Sequence, residues 1–155
     1  MKGIFHLTTA PDLRNKLRRD LERLKKNFMD SDAAFNFFVT AEHLLDWVYP
    51  GQVNEKKRKK ARKDSILLAV CSHLASGAKH FEVEARHHKS VTSTGTGGGH
   101  FGSNHFASYA FANAAFGRRL IVRLDGEAEK QIGPAIRMVD LAKRIMDYWE
   151  KHPLS

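Results

Sequence analysis

The sequence predicts a mainly α fold, a helical bundle of about four helices carrying a small antiparallel β-hairpin. Three observations lead there. Apolar residues recur at helical spacing within Leu13–Phe28, Ala33–Val48 and Ile136–Trp149. Ile66–Phe81 is apolar around so much of its circumference that it reads as a central helix packed among several partners. Phe81–Arg86 alternates apolar with charged residues, and Leu120–Leu124 is rich in β-branched residues, so the two read as a strand pair. The chain has 155 residues, which suits one domain spanning 1–155 that buries roughly 70% of its unfolded surface.

In chain order, Gly3–Leu7 is a short edge segment, and Pro11 fits the first turn of a helix, where its missing N–H costs nothing. Leu13, Leu17, Leu21, Leu24 and Phe28 form the apolar stripe of that helix. Asp12 at its start and Lys25 and Lys26 at its end complement the macrodipole. Asp30-Ser31-Asp32 signals an N-cap for a second helix, which Tyr49-Pro50-Gly51 stops. Glu55–Asp64 then places seven cations between Lys56 and Lys63, expected to run without a break into the central helix.

On the central helix Leu67, Val70, Leu74 and Ala78 mark the stripe, with Cys71 beside it. Ser90–Gly99 reads as a Ser/Thr/Gly-rich loop, opening an excursion over about 90–117 in which Phe101, Phe106, Phe111 and Phe116 recur every five residues. Gly133-Pro134 punctuates the approach to the last helix, whose face runs from Ile136 through Val139, Ala142, Ile145 and Met146 to Trp149.

Charge narrows the partners. Lys and Arg number 26 against 17 Asp and Glu, a formal +9 that attracts polyanions. One cysteine excludes an internal disulfide, and no apolar run approaches the roughly 18 residues of a membrane span, so a cytoplasmic protein with no membrane partner is expected. No metal and no cofactor are expected. His73 and His80, seven residues apart on a helix, stand about 10 Å apart along its axis, too far for one ion. Gly97-Gly98-Gly99 lacks the lysine and helix of a phosphate loop, and Ser72 and Ser76 have no nucleophile elbow around them. Cys71, in the middle of a buried stripe, lacks the cations and access a nucleophile needs.

Leu74-Ala75-Ser76-Gly77-Ala78-Lys79-His80, together with the second and last helices, resembles bacterial helical-bundle proteins with a Leu-Ala-x-x-x-Lys-His element. That wider group is similar to the HEPN superfamily, all-α domains associated with nucleotides or RNA in toxin and defence systems. Active members carry an Arg ahead of the His. This chain has Ser72 or His73 there, so the resemblance implies a non-catalytic member. The leading expectation is a non-enzymatic basic domain that binds nucleic acid or another polyanion through Lys56, Lys57, Arg58, Lys59, Lys60, Arg62 and Lys63. The alternatives are a divergent HEPN-like ribonuclease using His80 with Lys79 and His73, or an interaction module whose contact surface is the four phenylalanines.

Overall fold

The computed structural model describes residues 3–79, 89–98 and 118–154. The first helix, α1 (Ala10–Lys26), opens with a capping box. The Thr9 hydroxyl accepts from the Asp12 N–H, and the Asp12 carboxylate accepts from the Thr9 N–H at 2.9 Å. The Thr9 hydroxyl, hydrogen-bonded to that carboxylate, is the main reason its pKa is lowered. Leu13, Leu17, Leu21 and Leu24 are buried as their spacing predicts. The helix ends before Phe28, which is 41% exposed with the Arg119 guanidinium 4.9 Å over its ring. Helix α2 (Ser31–Val48) starts at Asp30, whose carboxylate accepts from the Ala33 N–H at 2.8 Å, and Tyr49 ends it. Phe37, Phe38, Ala41, Leu44 and Leu45 form its buried side.

The basic run is a helix of its own, α3 (Glu55–Asp64), entered through a single 3-10 turn at Gln52–Asn54. The expected continuous helix is interrupted by one residue. Ser65 is extended, at φ −126° and ψ 112°, and donates its N–H to Ala61 O at 3.0 Å to end α3. Its own carbonyl then accepts from the Ala69 N–H at 3.0 Å, which starts α4 (Ile66–Lys79). The serine is a good N-cap, and like-charge crowding on α3 favours ending the helix there.

In α4 the fully buried residues are Leu68, Val70 and Cys71, followed by Ala75, whereas Leu67 and Leu74 are only partly buried. Val70 is thus buried as its stripe predicts, while Leu68 and Ala75 take the inner places expected of Leu67 and Leu74. Among the described residues four helices make the bundle: α1 packs on α2 and on the last helix, α6 (Met138–Lys151), and α4 packs on α2 and α6. Phe37, Val70 and Trp149 lie in its one core.

The expected strand partner is different. Residues Arg118–Leu124 form β2, paired antiparallel along their whole length with β1 (Val91–Gly98), from Val91↔Leu124 to Gly98↔Arg118. On its other side Ile121–Arg123 pairs with β3 (Ala135–Arg137). Among the described residues the sheet therefore has three strands with β2 central, and the Ser/Thr/Gly stretch read as a loop is a strand at one side of them. Thr92, Thr94 and Thr96 are its β-branched alternation, and its polarity reflects an exposed face. Phe81–Arg86, read as a strand, lies outside the described residues, as do the four phenylalanines of the excursion. Val122, Leu124 and Ile136 face the bundle. Ile136 is thus buried as expected, but from a strand, because α6 begins only at Met138. A short helix that was not foreseen, α5 (Gly126–Ile132), connects β2 to β3 and leans on α4.

Candidate nucleic-acid interface

The seven cations of α3 divide by side-chain type. At 100° per residue, Arg58, Ala61 and Arg62 share one side of the helix, and the five lysines spread over about 160° of the other. The inward side is the arginine side. Arg58 Nη1 donates to the carbonyls of Tyr49 and Gly51, the latter at 2.8 Å, and its Nε lies 3.1 Å from Asp46 Oδ1. Arg62 holds Glu42 Oε1 through Nε at 3.0 Å and through Nη2. These side chains are 14% and 27% exposed, against 71% and 74% for Lys59 and Lys60.

A planar guanidinium can satisfy several acceptors at fixed angles, which suits it to hold the helix down. Lysine amines are compact and strongly hydrated, and here they stay in water. Lys59 pairs with Glu55 and Lys60 with Asp64 within the helix, both exposed. The Lys59 amine lowers the Glu55 pKa. Lys56, Lys57 and Lys63 have no ion pair among the described residues.

Each flank of the lysine face meets a groove. Beside Lys57 and Lys60 is a cavity of about 300 Å³ walled by Tyr49, Tyr148 and His152. There the Tyr148 and His152 rings stack, with centroids 5.4 Å apart and planes 18° apart, and Tyr49 meets His152 edge-on. Beside Lys59 and Lys63 lies a larger cleft toward α4 and α5. The basic run was legible in the sequence. The aromatic wall was not, because Tyr49 and Tyr148 are far apart in the chain and meet only through the α2–α6 contact.

The other expected site residues lie elsewhere. His73 is buried in α4, and its Nδ1 accepts from the Val91 N–H at 3.1 Å, tying the helix to the first residue of β1. Lys79 is the last described residue of α4, and His80 of the expected histidine pair lies outside the described residues. Among the described residues no cluster of His, Cys, Asp and Glu is arranged to hold a metal. No helix among them is long and apolar enough to cross a membrane.

Cys71 is fully buried, with Sγ 3.5 Å from Phe38 O, and burial pushes its pKa well above the ordinary thiol value. The folded state thus favours the protonated thiol. Its contribution to stability is complete below the ordinary value of about 8.5 and is lost as pH rises above that toward the raised folded pKa. Iodoacetamide at pH 8 should label native Cys71 at the rate of unfolding and label urea-unfolded chains at once. A native rate within tenfold of glutathione's would show that the thiol is accessible.

No family model, no curated protein and no solved structure matches the chain.

Proposed function

We propose that the protein binds nucleic acid through the lysine face of α3, with phosphates on the amines and bases against the Tyr148–His152 groove. The observation that carries this reading is the division of labour on α3. Its two arginines fix the helix to the bundle, no residue of the helix is buried, and five lysines are presented outward with only Glu55 and Asp64 opposing them. A solvated helix of this size needs no such charge for stability. Crowded like charges on a helix cost about 0.2–0.5 kcal/mol per pair, a cost that a polyanion removes. Stacking on aromatic rings beside a cationic track favours single strands, whose bases are free to lie flat. The same proposal takes the chain as a non-catalytic HEPN-like domain, because the arginine of the active motif is missing.

The test is fluorescence anisotropy with a short single-stranded RNA and its duplex over a salt series. With four or five phosphates engaged, log K should fall with log salt at a slope of about −3 for the single strand. Changing Lys56, Lys57, Lys59, Lys60 and Lys63 to Gln should weaken binding at least about tenfold at moderate salt while the protein melts as before. Wild-type affinity in that variant would reduce the run to a solvated face. Shortened RNA in the wild-type samples would assign turnover, and with it the ribonuclease alternative.

A further inference from the structure

We infer that the cleft between α3, α4 and α5 receives a phosphate monoester, its phosphate between Lys59 and Lys63 and its organic part over Ile66 and Ala69 toward Ser72. The inference rests on the reading of α3 as a phosphate-binding element and adds a second mode to it. The cleft encloses about 800 Å³, the size of sites that take small organic ligands rather than bare ions. Each wall is one face of a helix. Lys59 and Lys63 stand one turn apart on the rim, and Gln131 stands opposite on α5. Ile66, Ala69, Ser72 and Ser76 recur along α4 as a floor about 15 Å long.

Ser72 puts a hydroxyl on the floor that a ligand can use. It is 9% exposed, lines the floor, and its hydroxyl has no hydrogen-bond partner among the described residues. That oxygen keeps contact with the cleft, where it can donate to a ligand oxygen that reaches the floor.

The charges favour an anion. Two carboxylates line the cleft, and each is already matched. Asp64 pairs with Lys60, while Glu127 has Lys130 at 3.7 Å and accepts from the Gln131 amide at 2.8 Å. Arg62 gives Nε and Nη2 to Glu42. Lys59 shares an exposed pair with Glu55, and such pairs are weak enough to exchange for a stronger partner. Lys63 has no counter-charge among the described residues. Two ammonium groups suit the charge of about −1.5 to −2 on a phosphate monoester better than the single charge of a diester or carboxylate.

Such a group comes either from a free nucleoside monophosphate or from the phosphorylated end of a strand lying on α3. The experiment compares one RNA sequence with a 5′-phosphate or a 5′-hydroxyl by anisotropy. In parallel, adenosine 5′-monophosphate is titrated by calorimetry, all with wild type and Ser72→Ala. A strand-end ligand predicts about tenfold tighter binding of the phosphorylated RNA, a preference lost in Ser72→Ala while the hydroxyl RNA binds as before. A free-ester ligand predicts monophosphate binding weakened about tenfold by Ser72→Ala. Equal affinity for both RNAs with no monophosphate binding overturns the cleft and leaves the lysine face standing. If neither RNA binds, the lysine-face reading falls, and the monophosphate titration alone then decides for or against the cleft.

Discussion

Trp149→Ala is expected to lower the unfolding free energy by about 3–5 kcal/mol, enough to unfold a large share of the molecules of a marginal domain. Trp149 is the largest fully buried side chain, on α6 where that helix meets α1, α2 and α4. Its ring meets Tyr148 edge-on at 5.2 Å and His152 at 5.6 Å, so truncation also loosens the aromatic wall beside α3. The indole Nε1 is buried without a hydrogen-bond partner. Trp149→Phe therefore discards an unsatisfied donor along with some volume, and should cost only about 1–2 kcal/mol. Urea unfolding followed by circular dichroism measures both. A loss below about 1 kcal/mol for the alanine variant would place Trp149 outside the cooperative core.

Asp20→Ala should cost about 3 kcal/mol. Asp20 is buried between α1 and α2, where its carboxylate accepts from Lys16 Nζ at 2.5 Å, Thr40 Oγ1 at 3.1 Å and Arg23 Nη1 at 3.2 Å. Lys16 also donates to Thr40 Oγ1 at 2.6 Å, so removing Asp20 leaves the buried Thr40 hydroxyl proton without its acceptor and the ammonium short of its carboxylate. The loss stays at the low end of the range for a broken buried pair because the Lys16 and Arg23 side chains are 31% and 67% exposed and can return to water. Asp20→Leu combined with Thr40→Val should recover most of the stability, since apolar residues can replace a buried polar set at little cost. An Asp20→Ala variant as stable as wild type would show that the polar clamp contributes nothing.

The bundle was readable because amphipathic spacing survives intact in α1, α2 and α6, where one face meets the core and the other meets water. It misled slightly in α4, where apolar residues cover several faces and only packing decides that Leu68, not Leu67, is central. The sheet was half legible. Leu120–Leu124 is a strand by composition, but pairing between strands more than twenty residues apart leaves no local trace. Its partner β1 was hidden because low complexity outweighed the alternation of its threonines. At the candidate site the charge run stood out at once. Its division into holding and presenting cations was also there to be read, in the arginines at positions 58 and 62, one turn apart, among lysines.

Ser65 separates two kinds of selection. Because it ends α3 and starts α4, the helix before it holds no buried residue while the helix after it buries Leu68, Val70 and Cys71 in the core. Lineages can therefore gain or lose lysines at positions 56, 57, 59, 60 and 63 with little effect on folding, as long as Arg58 and Arg62 persist. The charge this surface carries can drift while the scaffold beneath it stays fixed.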